Sequence, residues 1–142
     1  MEYPDFTNMS VWKKSIELLL KIYEITKSFP ADERFGLISD MRRAVNSISH
    51  NFAEGYGRFE QRDKTRFYKI SRGSGYELMS QLIASFKLEY IKEKIILDEI
   101  ISDTTEIVNE LTALIISLEK RQEWQMTKNF ICLCLSLRLE GD

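Results

Sequence analysis

A chain of 142 residues, 44% hydrophobic and 30% charged, can bury one substantial core but is too short for two domains of ordinary size. Its 20 Lys and Arg stand against 22 Asp and Glu, a formal net charge of −2, which excludes a disordered polyelectrolyte and a uniformly basic nucleic-acid binder. The first ten residues hold no basic n-region or apolar h-region, and the longest apolar run, Phe130 to Leu137, is too short to span a bilayer. No membrane segment is therefore expected, and a reducing cytoplasm is the simple setting for Cys132 and Cys134, which lie too close together to staple a fold.

The first helix is expected from about Asn8 or Ser10 to Ser28. Val11, Ser15, Leu18, Ile22, Ile25 and Phe29 fall on one stripe, and Trp12, Ile16, Leu19 and Tyr23 widen it enough to touch two neighbours. Pro30 stops it. A second helix follows from about Phe35 to Ala53 or Gly55, with Leu37, Met41, Ala44, Ile48 and Phe52 as its core face. Gly55 and Gly57 are suited to leaving a helix through positive φ.

The third helix spans about Gln61 to Glu89, with Phe67, Ser71, Ser74, Leu78, Gln81, Ser85 and Leu88 at heptad spacing. Its small residues, Ser71, Gly73, Ser74 and Gly75, cost helix propensity but admit a close backbone. The fourth runs from about Glu93 to Arg121. Its seam is Leu97, Ile101, Thr104, Val108, Leu111, Ile115 and Leu118, with a second apolar line at Ile100, Ile107 and Leu114.

Four amphipathic helices on short turns predict an all-α, antiparallel up-down-up-down four-helix bundle over residues 1–121. The second apolar line and the wide first helix exceed what one small bundle requires, which points to homo-oligomerisation. Residues 122–142 form a separate C-terminal tail. Its rough alternation across Ile131 to Leu139 fits a paired strand, a segment docked on a partner or a poorly ordered end.

No catalytic or cofactor constellation is complete. A di-metal bundle site needs four carboxylates and two Glu-x-x-His motifs, whereas this chain has one histidine, His50, near Glu54 and Glu77. Arg72-Gly73-Ser74-Gly75 lies inside a helix and not on a nucleophile elbow. Gly55-Tyr56-Gly57 lacks the strand and third glycine of a dinucleotide fingerprint, and Cys132-x-Cys134 is half a zinc site at most. Neither catalytic residues, nor a metal, nor a cofactor is expected, and the chain reads as non-enzymatic.

Charge distribution is more informative than net charge. Residues 35–72 hold eight bases against four acids, while 73–142 hold seven against twelve. Arg58, Arg62, Arg66 and Lys69 recur every three or four residues and share one helix face, with Tyr56, Phe59 and Tyr68 beside them. Together with Arg42 and Arg43 they are the candidate nucleic-acid contacts. The competing assignment is a face used in assembly, matched to Asp98, Glu99, Asp103, Glu106 and Glu110 of a neighbouring subunit. Asn51, Glu54, Glu77 and Gln81 are polar at core-like positions and read as register-setting, with Gly55 and Gly57 as turn residues.

Several stretches together resemble a known family. They are Val11-Trp12-Lys13-Lys14, Phe29-Pro30, Glu33-Arg34-Phe35-Gly36-Leu37, Arg42-Arg43-Ala44-Val45 and Asn51-Phe52-Ala53-Glu54-Gly55 with Gly57-Arg58. Phe67, Gly73-Ser74, Glu77-Leu78 and Gln81-Leu82 continue the pattern, which covers 6–121. The chain resembles the S23 proteins encoded in intervening sequences of bacterial 23S ribosomal RNA genes. That resemblance implies an up-down four-helix bundle assembled as a ring-like homopentamer. It also implies similarity to the accessory variability determinant of diversity-generating retroelements, which engages a reverse transcriptase and nucleic acid. The net charge of −2 departs from the strongly basic balance of those accessory proteins. The expected partners are other copies of the chain and, at the basic face between helices two and three, RNA or a nucleic-acid-processing protein.

Overall fold

The computed structural model describes residues 3–139, with side chains described up to Leu133. Residues 1–2 and 140–142, the last part of the expected tail, lie outside the described residues. Four α-helices, α1 (Ser10–Ile25), α2 (Leu37–Gly57), α3 (Gln61–Lys87) and α4 (Lys94–Leu139), make a four-helix bundle, with no strand among the described residues. Short 3₁₀ turns at Asp5–Asn8, Thr26–Ser28 and Ala31–Phe35 shape the ends of α1 and the approach to α2.

Most of the stripe residues lie in the core, but Leu88 of the expected α3 stripe is exposed and Leu82, outside that stripe, is fully buried. Val11, Leu18 and Ile22 from α1 meet Met41, Ala44, Ile48 and Phe52 from α2, Leu78 and Leu82 from α3, and Ile107, Leu111 and Ile115 from α4. Thr26, absent from the expected stripe, is also buried, and its hydroxyl donates to the Ile22 carbonyl at 2.8 Å. Glu33 ties the loops at one end of the bundle. One of its carboxylate oxygens accepts the Leu37 N–H at 2.9 Å, meeting a free donor at the start of α2. The other accepts the Tyr90 hydroxyl at 3.1 Å, which raises the pKa of that phenol.

Small residues make the α2–α3 seam close. Ser71 donates to the Ile48 carbonyl at 2.7 Å, Ser47 and Ser74 share a hydrogen bond of 2.8 Å, and Ser85 reaches the Met41 sulfur at 3.4 Å. Along this seam partner numbers fall on α3 as they rise on α2. Gly75 serves the other side of α3, where an added Cβ would lie 2.6 Å from Val108 Cγ2 on α4. Gly73 takes no part in close packing: it is exposed, and its added Cβ would meet nothing within 4 Å.

Three sequence expectations change. No described glycine has positive φ, so Gly55 and Gly57 do not release the chain by left-handed geometry. Both lie within α2, and the chain turns at Arg58, which is extended at φ −76°, ψ 138°. Gly55 is small because α3 is near: its added Cβ would lie 2.8 Å from Tyr68 Cε1 and 3.0 Å from Phe67 Cβ. The second apolar line of α4 is not surplus, since Ile100 and Ile107 are buried in the chain's own core and Leu114 packs partly buried against it. Finally, α4 does not stop near Arg121. It continues as helix to Leu139, with Glu123 to Leu133 exposed, so the backbone expected as a strand or loose tail is a helix projecting past the bundle.

Tyr68 gives the core a measurable alkaline limit. Burial, with a smaller contribution from Tyr56, raises its phenol from 10.0 to about 12. The folded state thus favours the neutral phenol; this contribution is whole below pH 10 and is lost as pH rises toward 12. Between pH 9 and 11, wild type is expected to lose about 1 kcal/mol more stability than Tyr68→Phe. Urea unfolding at both pH values checks this, and equal losses would remove Tyr68 as the cause.

Candidate nucleic-acid interface

The basic face begins where α2 ends. Arg58 and Glu60 are both extended, so the chain reverses over three residues and α3 starts at Gln61. Asp63 in the first turn of α3 suits the positive end of the helix dipole. Lys64 donates to the Tyr56 carbonyl at 2.7 Å, satisfying one of the last carbonyls of α2, and its ammonium lies 5.4 Å from the Tyr56 ring centre.

From this turn the helical repeat of α3 carries Arg62, Arg66 and Lys69 onto one side, whereas Arg58, expected on the same helix face, precedes α3 and reaches the group from the turn. The guanidinium carbons of Arg58 and Arg66 lie 4.7 and 4.9 Å from the centre of the same Phe67 ring. Both guanidinium groups are thereby within cation–π range of one aromatic ring, a placement favoured by the ring quadrupole. Arg58 also pairs with Glu54 one turn back, and Lys69 pairs with Glu119 of α4 at 2.5 Å. Arg62 is exposed and makes no ion pair or hydrogen bond among the described residues. Arg62, Arg66 and Lys69 line an open cleft of about 380 Å³, closed on the far side by Glu119 and Gln122 of α4.

The aromatic neighbours separate. Tyr68 is in the core, stacked on Phe52 with ring centres 5.2 Å apart and planes 15° from parallel. Tyr56 is half-buried, edge-on to Phe6 at 6.2 Å. Phe59, in the turn itself, is 100% exposed.

Arg42 and Arg43 do not join this group. They precede Arg58 by some four turns of helix, roughly 24 Å along α2. Arg42 lies 4.6 Å from the Tyr23 ring centre and donates to the Thr26 hydroxyl at 3.0 Å, bracing α1 against α2. Arg43 pairs with Glu77 at 2.5 Å across the α2–α3 seam, and Gln81 donates to the same carboxylate at 3.4 Å. Gln81 Oε1 is the one buried side-chain polar atom without a partner among the described residues. Asn51 donates to the Ser47 carbonyl and hydroxyl, at 2.8 and 2.9 Å, and so braces α2 internally, away from the α2–α3 turn.

Sequence reasoning missed how the acidic side of α4 is used. Lys21 of α1 pairs with Glu99 at 2.6 Å and Asp103 at 2.7 Å, and Lys14 pairs with Glu106 and Glu110 one heptad on. Hydrogen bonds to these carboxylates raise the pKa of both lysines, with Asp103 foremost for Lys21 and Glu106 for Lys14. Asp98 pairs with Lys94. The seven-residue spacing of Lys14 and Lys21 against this acidic row was the available signal. His50 is exposed on α2 and Glu54 and Glu77 are each engaged by arginine, so these three do not converge. Among the described residues no three His, Cys, Asp or Glu side chains gather as metal ligands, and no helix is long and apolar enough to cross a membrane.

Comparison with known families is decisive for descent. The family model for the 23S rRNA-intervening sequence protein matches residues 7–113, about three quarters of the chain. The chain belongs to the 23S rRNA-intervening sequence protein family. A crystal structure of a protein of unknown function from the S23 ribosomal protein family of Bacteroides thetaiotaomicron is similar in fold, with a TM-score of 0.66 at 24% identity. That similarity covers 74% of this chain and 97% of the Bacteroides chain. A search of curated proteins gives no match. The family match ends before the projecting part of α4, while the basic turn, Arg58 to Lys69, lies within it.

Proposed function

We propose that this family member is a non-enzymatic, cytoplasmic protein that assembles as a homopentamer of antiparallel up-down-up-down bundles and contacts RNA through Arg58, Arg62, Arg66 and Lys69. The observation that carries the RNA contact is the placement of Arg58 and Arg66 against one Phe67 ring beside an Arg62 that no carboxylate neutralises among the described residues. Guanidinium groups fixed by stacking keep their outer N–H groups for an external acceptor, and phosphate is the acceptor they fit best. The competing assignment, subunit assembly through the acidic row of α4, is disfavoured because Lys14 and Lys21 already occupy Glu99, Asp103, Glu106 and Glu110. Assembly has a different support in the exposed apolar side chains Trp124, Met126, Phe130 and Leu133 of projecting α4.

Filter binding of structured RNA over a salt series tests the contact. Wild type is expected to bind with log K falling by about 3 per decade of salt, the slope for three or four phosphates. Reversing Arg58, Arg62 and Arg66 to Glu is expected to weaken binding at least ~100-fold at low salt. Binding by the reversed protein equal to wild type would sink the RNA reading. Native mass by light scattering tests assembly: about five times the 16.7 kDa chain is expected, and a monomer mass would exclude it.

A further inference from the structure

We infer that the basic turn takes single-stranded RNA, with a base stacked on Phe59; this rests on the RNA reading above and narrows its substrate class. Phe59 is 100% exposed and has no ring contact among the described residues, although it sits in a three-residue turn where a polar residue would be cheaper to solvate. The other aromatics near the basic face are already used. Tyr68 stacks on Phe52, Tyr56 packs edge-on to Phe6, and Phe67 is 9% exposed beneath two arginines. Phe59 alone offers a bare aromatic face, next in sequence to Arg58 and three residues before the uncommitted Arg62.

Charge favours a single strand over a duplex. Duplex RNA hides its base faces and is held by many phosphate and 2′-hydroxyl contacts over a long footprint. A chain of net charge −2 that presents four cations on this face, two of them paired with carboxylates, has little to offer such a footprint. An unstacked base beside one or two phosphates is a better match. Stacking on Phe59 supplies sequence-tolerant affinity, while Arg58, Arg62 and Arg66 take the adjoining phosphates.

Fluorescence anisotropy with a labelled oligouridine of about fifteen nucleotides, alone and annealed to oligoadenine, separates the possibilities. The single strand is expected to bind at least ~10-fold tighter than the duplex. Phe59→Ala is expected to weaken single-strand binding ~10-fold or more, while Phe59→Trp keeps it. The ring makes no contact among the described residues, so these variants are expected to leave the bundle intact, and unchanged far-UV circular dichroism checks that. Wild-type binding that the arginine reversal abolishes but Phe59→Ala leaves unchanged overturns the stacking inference and spares the RNA reading. Duplex bound as tightly as single strand has the same consequence. No binding of either probe by wild type overturns both.

Discussion

Gly55→Leu is expected to destabilise the protein by about 3 kcal/mol, a fall of roughly 10 °C in Tm for a domain of this size. The site has no room even for a methyl group. A Cβ at Gly55 would lie 2.8 and 2.9 Å from two carbons of the Tyr68 ring and 3.0 Å from Phe67 Cβ. Neither neighbour moves cheaply. Tyr68 is stacked on Phe52, and the Phe67 Cβ is fixed to the α3 backbone. Relief therefore requires α2 and α3 to separate where their small residues bring them together. Gly57→Ala, two residues on, is the control: nothing lies within 4 Å of its added Cβ. A change within about 0.5 kcal/mol is expected there. Urea unfolding of both variants decides the matter, and equal stabilities would mean that the close α2–α3 approach does not exist in solution.

Emptying the same junction should cost as much as overfilling it. Phe52 is wholly buried and stacked on Tyr68, so Phe52→Ala removes a full aromatic side chain and strips one face of the Tyr68 ring. The expected loss is about 3–5 kcal/mol, combining lost burial with the cavity left behind. Phe52→Leu keeps most of the volume and should cost about 1.5 kcal/mol or less. If the ring pair contributes beyond its area, a double-mutant cycle of Phe52→Ala with Tyr68→Ala should return a coupling of about 0.5–1.5 kcal/mol. A loss below 1 kcal/mol for Phe52→Ala alone would contradict this packing.

Both variants act on the junction that positions Arg58, Phe59 and Arg62. The link from packing to function is therefore testable in one direction. Changes beneath the turn should alter stability and binding together, whereas changes on its outer face, at Arg62 or Phe59, should alter binding alone.

The sequence by itself determined the helices and most of the core. Apolar residues at three- and four-residue spacing leave little choice of secondary structure, and Gly55 and Gly57 placed the α2–α3 turn to within a few residues, although the chain turns at Arg58 and not by left-handed glycine geometry. It also grouped Arg62, Arg66 and Lys69, because side chains that share a face of one helix are fixed by helical repeat alone, whereas Arg58 lies before α3 and is brought beside them by the turn. Tertiary structure decided what each of those residues is free to do. Periodicity cannot say that Tyr68 turns inward onto Phe52 while Phe59 stays in solvent, or that Arg42 and Arg43 are spent on Tyr23, Thr26 and Glu77. It cannot say that Gly55 is needed for the approach of a Tyr68 ring and not for its dihedral freedom. Nor can it say that the acids of α4 are answered by Lys14 and Lys21 across the α1–α4 seam. Those outcomes depend on contacts between helices far apart in the chain, and a local pattern carries no information about which neighbour will stand opposite.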